Sequence, residues 1–231
     1  MNDLKKLRPD LGVVYSYGGI LPKKIIDIFP FGILNIHPSL LPKYRGPSPV
    51  QGAILNDEKE TGVSIIRIDE KIDHGPILAQ QKLKMNELDT AHDLTVKLSE
   101  IGTSLLIETI PGYISKHILP AEQNHSNESY TKKISKYDGH INWKLSAHYI
   151  HLMYKAYHPW PGIYSTVEYK RLKILQIKES VKKTKNIAGF IFLGNDGYPH
   201  VQCGKGSIIL TQLQLEGKKP IDTKTFMNGF P

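Results

Sequence analysis

The sequence predicts an α/β domain built on a mostly parallel sheet, followed by a smaller domain of short strands. Three observations lead there. Short apolar runs alternate with helical patterns through residues 1–119, as they do where helices are laid on parallel strands. A polar, aperiodic stretch at 120–136 (PAEQNHSNESYTKKISK) then reads as a linker. In residues 137–231 one helix precedes five short strands separated by turns, the texture of a small OB-like β-barrel.

The first-half elements follow in order. Residues 11–16 (LGVVYS) and 33–37 (ILNIH) are uninterrupted apolar runs and read as buried strands. Between them, 22–29 reads as a short helix with Pro22 in the first helical position. Residues 50–56 read as helix, 63–68 (VSIIRI) as a β-branched strand, and 77–84 as an alternating strand. Along 90–117, Leu94, Leu98, Ile101, Leu105 and Leu106 recur with a helical period, and Thr90 is placed to cap it.

In the second half, 146–157 reads as a helix that must stop at 158–162 (HPWPG), because proline cannot continue one. Trp160 there reads as a packing anchor. The five strands fall at 164–168, 172–177, 187–193, 200–203 and 207–215. Turns at 195–197 (NDG) and 204–206 (GKG) separate the last three.

Composition excludes several classes. At 40% apolar residues the chain of 231 can bury a core without disulfides or a structural metal. One cysteine, Cys203, forms no intrachain disulfide and fits a reducing compartment. The longest uncharged runs, 11–22 and 29–42, contain Pro and Gly and fall short of the ~18 apolar residues of a membrane helix. The opening MNDLKKLRPD has no apolar stretch of a secretory signal. A cytoplasmic, globular protein is expected. Charge is divided unevenly: residues 1–120 hold 14 Lys and Arg against 14 Asp and Glu, and residues 121–231 hold 16 against 8. The whole excess lies in the second half, which points that half at a polyanion.

The densest polar segment is 35–46, NIHPSLLPKYRG. Strand alternation puts Asn35 and His37 on one face, where the strand breaks at Pro38. Ligands of open α/β sheets bind beyond the carboxyl ends of strands. An amide and an imidazole there suit a shared oxyanion, although a lone histidine at a strand end is more often a satisfied structural group. Asp73, ahead of His74-Gly75, sits in a turn able to bring a carboxylate to that imidazole and accept a proton. His148 and His151 lie three apart on a helix without a third ligand, so no metal site is expected.

Asn35-Ile-His37, Ser39-Leu40-Leu41-Pro42 and Asp73 before a glycine turn together resemble the signature of the folate-dependent formyltransferases, the His37-to-Asp73 spacing included. The segments 130–143 (YTKKISKYDGHINW), 157–162 (YHPWPG) and 215–229 (LEGKKPIDTKTFMNG) resemble the C-terminal domain of the methionyl-tRNA branch of that family. The resemblance runs from the Tyr17-Gly18 turn to the end of the chain. It implies a partial Rossmann-like formyltransferase sheet followed by an OB-like barrel. The reaction it implies moves a formyl group from 10-formyltetrahydrofolate to the α-amino group of methionyl initiator tRNA, without a metal.

By the same resemblance Asn35 and His37 hold the formyl oxygen, and Asp73 supports His37 and relays the amine proton. Ser39, Leu40, Leu41, Pro42, Tyr17 and Gly18 line the folate site. The basic residues Lys132, Lys133, Lys136, Lys182, Lys183, Lys185, Lys218 and Lys219 would form one face toward tRNA. Two departures stand out. Family members carry further sheet before the strand at 11–16, which leaves that strand with a bare edge open to self-association. Pro38 occurs in relatives that formylate a purine precursor. An amino-sugar-nucleotide N-formyltransferase and an inactive remnant retaining tRNA binding are the alternatives.

Overall fold

A computed structural model describes residues 2–182 and 184–229. The chain forms two compact units, Met1–Lys133 and Ile134–Pro231.

In the first unit, α1 (Asn2–Leu7) precedes β1 (Gly12–Tyr15), α2 (Lys23–Ile26), β2 (Ile33–His37), α3 (Pro49–Leu55), β3 (Glu60–Arg67), β4 (Ile77–Lys84) and α4 (Ala91–Ile114). The sheet order is β1-β2-β3-β4. Only β1 and β2 are parallel; β3 runs antiparallel to both β2 and β4. The expected mostly parallel sheet is therefore a mixed one. The connection between β3 and β4 is residues 68–76, too short for a helical crossover, and α3 packs on α4 instead of bridging parallel strands.

Burial follows from this order. β2 and β3 are inner strands, and Ile33, Leu34, Ile36, Val63, Ile65 and Ile66 are all buried. β1 is the edge: Val13 and Tyr15 are 48% and 42% exposed. The run at 11–16 reads as buried on both faces, but the edge position leaves one face in water. α4 lies against β2, β3 and β4. Its buried face is Leu94, Leu98, Gly102, Leu106, Thr109 and Tyr113. The expected cap is present as a reciprocal pair: Thr90 Oγ1 accepts the Asp93 N–H at 3.3 Å, and the Asp93 carboxylate accepts the Thr90 N–H at 3.0 Å.

The second unit holds α5 (Ala147–Ala156), β5 (Ile163–Val167), β6 (Lys170–Ser180), β7 (Ile191–Leu193), β8 (Pro199–Gln202), β9 (Ser207–Leu215), β10 (Ile221–Asp222) and α6 (Thr223–Asn228). All its strand pairs are antiparallel, in the order β5-β6-β9-β8-β7 with β10 on β9. All five expected strands form; β10 and α6 lie in a stretch whose apolar residues are too sparse for a period. Trp160 is not a packing anchor. It is 54% exposed, because Leu152, Met153, Ala156 and Tyr157 of the preceding turns fill the core in its place. Cys203 is buried, and burial lifts its thiol pKa to about 11. Among the described residues no helix is long and apolar enough to cross a membrane.

Candidate active site

The register Tyr15↔Ile36 sets the carboxyl ends of β1 and β2 side by side. Tyr17 and Gly18 therefore leave the sheet at the same end as His37. Tyr17 is 61% exposed there, and Gly18 has open space where a side chain would stand.

Asp73 reaches that end from the β3–β4 loop. Its φ of +46° is left-handed, a region non-glycine residues seldom occupy. Two residues on, a Cβ at Gly75 would lie 1.9 Å from the Arg67 carbonyl oxygen, so only glycine fits. The Asp73 carboxylate is held on three sides. Oδ2 accepts the Gly46 N–H at 2.7 Å. Oδ1 accepts from Asn35 Nδ2 at 3.4 Å and stands 3.5 Å from His37 Nδ1. Gly46 in turn has φ +98°, and a Cβ there would come within 2.7 Å of the Thr131 carbonyl.

His37 is 4% exposed. Its Nε2 lies 2.9 Å from the Tyr44 carbonyl, which fixes the N–H on that nitrogen. Nδ1, facing Asp73, is then where a second proton would go. Burial, the largest influence, holds the imidazole below its ordinary pKa of 6.5. Asp73 and the Tyr44 carbonyl pull it up, and Arg45 pushes it down. In this arrangement both ring nitrogens face protein acceptors, so His37 has no idle N–H to offer a ligand. Asn35 has one, since its amide carries two N–H groups and Asp73 takes one.

The loop after β2 uses its polar atoms on itself. The Ser39 hydroxyl donates to the Lys43 carbonyl at 2.7 Å. The Ser64 hydroxyl donates to the Ser39 carbonyl at 2.7 Å and accepts from the Leu41 N–H and from Gln80 Nε2. Ser39 and Leu41 are buried, while Leu40 and Pro42 are half-buried. Of the expected folate-lining residues, Leu40, Pro42, Tyr17 and Gly18 are thus the ones with side chain or backbone open to solvent.

Sequence reasoning missed the group that braces this site. Most of 120–136, read above as a linker, lies within the first unit as a strap over the loops after β2 and β3. Ala121 exchanges two backbone hydrogen bonds with Ile77, both 2.8 Å. The Ser129 carbonyl accepts the Arg45 N–H at 2.8 Å, and the Thr131 N–H donates to the Arg45 carbonyl at 2.7 Å. The Arg45 side chain is fully buried and donates to Gln123, Glu128, Tyr130 and His125, all on the strap. A polar stretch without period gives no sign of this from sequence.

Within the second unit the described basic residues fall into separate groups. Lys132 and Lys133 are exposed in the first unit and Lys136 is exposed in the second. Lys182 and Lys185, also exposed, follow the end of β6, where Ser180 pairs with Ser207. Lys218 and Lys219 follow the other end of the same ladder, where Leu172 pairs with Leu215. Lys183 lies outside the described residues. Exposed Lys173 and Lys178 stand on β6 between the two ends.

Comparison with known proteins decides the family. The formyl transferase family model matches residues 1–110, and the formyl transferase C-terminal domain model matches 133–231. The methionyl-tRNA formyltransferase of Chloroflexus aurantiacus is 40% identical over 227 residues, covering 98% of this chain and 73% of that protein. The chain belongs to the methionyl-tRNA formyltransferase family. Among solved structures, the methionyl-tRNA formyltransferase from Clostridium thermocellum superposes with a TM-score of 0.65 at 19% identity, over 93% of this chain and 81% of that one. WlaRD, a sugar 3N-formyl transferase solved in the presence of dTDP and 5-N-formyl-THF, superposes with a TM-score of 0.70 at 25% identity, over 94% and 77%.

The depressed pKa of His37 has a consequence for stability. As pH falls through 6.5 the unfolded chain takes up a proton that folded His37 still refuses, so the fold loses stability until the lower folded pKa is passed. His37→Asn removes that component. Melting temperatures recorded from pH 7.5 down to pH 5 should drop less steeply in the variant; equal slopes would refute the buried neutral imidazole.

Proposed function

We propose that the chain transfers the formyl group of 10-formyltetrahydrofolate to the α-amino group of methionyl initiator tRNA. Its relatives at about 40% identity support the reaction. The observation that carries the site is the Asp73 carboxylate, gathered against Asn35, His37 and the Gly46 N–H at the carboxyl end of β2.

The chemistry follows from those groups. The amine lone pair attacks the formyl carbon, a C–N bond forms, and the carbonyl pair moves onto oxygen. The free N–H of Asn35 donates to that oxyanion. The amine proton passes to Asp73, whose partner His37 can hold it at Nδ1, and reaches the folate N10 as the bond from N10 to the formyl carbon breaks. His37 donates to the oxyanion itself only if its Nε2–H leaves the Tyr44 carbonyl, an adjustment of the 38–46 loop of the kind that tightens sites on substrate binding. The half-buried Leu40 and Pro42, with Tyr17 and Gly18, form the folate-facing wall. No step calls for a metal. The reaction belongs in the cytoplasm, with translation initiation.

Formyl transfer to charged initiator tRNA tests the reading. Asn35→Ala should lower kcat by ~10²–10³, the scale of one lost oxyanion donor, and Asp73→Asn by at least as much, with melting temperature little changed. Near-normal turnover in both variants would remove the site.

The second unit is assigned to tRNA. Lys182 and Lys185 stand at one end of the β6–β9 ladder and Lys218 and Lys219 at the other, ~30 Å apart for nine residues of strand. A nucleic acid can touch both ends, and a sugar nucleotide, with its two adjacent phosphates, only one. Each phosphate contact adds about −0.7 to −0.9 to the slope of log affinity against log salt. Lys218→Ala with Lys219→Ala, and separately Lys182→Ala with Lys185→Ala, should each flatten that slope for tRNA on the full chain. If neither pair alters it, the basic surface has another purpose and the sugar-nucleotide reading gains.

The edge of β1 supports one more proposal. It carries no proline or charge, and its outer face is half-exposed, so a second chain can pair along it. Light scattering should show a mass above 26.1 kDa that grows with concentration; a monomer at every concentration would refute this.

A further inference from the structure

The residue that orders the Asp73 turn is on the strap. Gln123 is 4% exposed, and its amide makes four hydrogen bonds. Nε2 donates to the Asp73 carbonyl at 2.9 Å and to the Gly75 carbonyl at 2.7 Å. Oε1 accepts from Arg45 Nε at 3.2 Å and from its terminal NH2 at 2.7 Å. The amide cannot be reversed. Guanidinium only donates and a carbonyl only accepts, so the oxygen must face Arg45 and the nitrogen must face the turn.

The two carbonyls it holds are those of the left-handed Asp73 and of the glycine wedged against Arg67. A backbone held in a sparsely populated region persists only where its surroundings over-determine it; here the Gln123 amide holds the turn's carbonyls, Gly46 holds the Asp73 carboxylate, and the His74 ring is bonded to Asp69 and stacked on His125. Arg45 anchors the amide from behind through Glu128, Tyr130 and His125. Those three residues and Gln123 all come from the strap, so the strap closes a loop of bonds: strap to Arg45, Arg45 to Gln123, Gln123 to the Asp73 turn. Arg45 also precedes Gly46, whose N–H holds the Asp73 carboxylate. One buried amide thus fixes the backbone of Asp73, and its guanidinium partner fixes the loop that receives the carboxylate.

We propose that Gln123 is a positioning residue for the formyl transfer: it locks the 73–75 turn so that the Asp73 carboxylate stays seated between His37, Asn35 and the Gly46 N–H. This rests on the proton-relay reading of Asp73. It gives a part in placing the Asp73 carboxylate to a segment between the two matched family domains, which end at 110 and resume at 133.

The test uses the full chain. Gln123→Met keeps the length and removes all four hydrogen bonds; Gln123→Glu keeps the acceptors for Arg45 and turns an oxygen on the two carbonyls. Both should lower kcat by ~10–100-fold, the scale of a misplaced group of about 1 Å, with KM for either substrate changed less than threefold. A second readout needs no substrate. The groups that act on the His37 ring are the Asp73 carboxylate at Nδ1, the Tyr44 carbonyl at Nε2 and, through its charge, the Arg45 guanidinium. If the turn is released in Gln123→Met, the carboxylate withdraws and the His37 titration, followed by NMR and identified by its loss in His37→Asn, moves to lower pH. Asn124→Ala, which strips the cap of the neighbouring 3-10 turn at Ser126 and leaves the amide alone, should retain wild-type kcat and titration. A Gln123→Met or Gln123→Glu protein that melts cooperatively, with kcat within threefold of wild type, overturns the proposal, as does an unmoved His37 titration in Gln123→Met. The titration is decisive even if the acceptor proves to be something other than tRNA, which separates this inference from the reading it rests on.

Discussion

A guanidinium cut off from water must find its acceptors in protein, since burying it unpaired would cost several kcal/mol. Arg45 is in that position, and the acceptors it finds are what joins distant parts of the chain at the site. Glu128, Tyr130, His125 and Gln123 are supplied by the strap. The backbone of Arg45 itself bonds Ser129 and Thr131. The seam holds the residue between two groups of the site: on one side of Arg45 the Tyr44 carbonyl faces His37, and on the other the Gly46 N–H holds Asp73. The strap is held to the first unit by its backbone as well, through Ala121 on Ile77 and through Ser129 and Thr131 on Arg45.

The same seam explains which parts of the fold could be read from the residues alone. β2, β4 and β9 were legible to the residue, because each has the uninterrupted or alternating apolar pattern that burial in a sheet imposes. The Thr90 cap was legible because its partner, Asp93, is three residues away. Strand direction was not. A β–loop–β stretch reads the same whether its strands run parallel or antiparallel, and only the nine-residue loop at 68–76 hints at the outcome. Trp160 was misread because a large aromatic among prolines looks like packing, whereas the helix before it had already filled the core.

At the site, legibility followed chemistry and failed where chemistry was supplied by ordinary residues. Asn35, His37 and Asp73 stand out as a polar cluster at a strand end, and the structure brings Asn35 Nδ2 and His37 Nδ1 to 3.4 and 3.5 Å from the Asp73 carboxylate. What fixes them does not stand out. Ser64 sits inside the strand pattern of β3, Gln123 inside a run of polar residues, and Arg45 beside a glycine as surface arginines often do. Each is identified only by three-dimensional burial: Ser64 and Arg45 are fully buried, and each spends its polar atoms on backbone or side chains far away in sequence.

Burial of His37 also decides what kind of base or donor the site can be. Taking the imidazole out of water lowers its pKa, and the adjacent carboxylate restores only part of that. A neutral ring beside the Asp73 side chain, with its one N–H committed to Tyr44, lacks a proton at Nδ1. In the proposed reaction such a pair takes a proton from an amine that becomes acidic once it has attacked a carbonyl carbon, and surrenders it when a leaving nitrogen turns basic. A solvent-exposed histidine would sit closer to half-protonated at neutral pH and would take its proton from water as readily as from substrate. In the proposed reaction the low dielectric around His37 takes part, and the loops beside it are tied down through hydrogen bonds to Arg45 and Gln123.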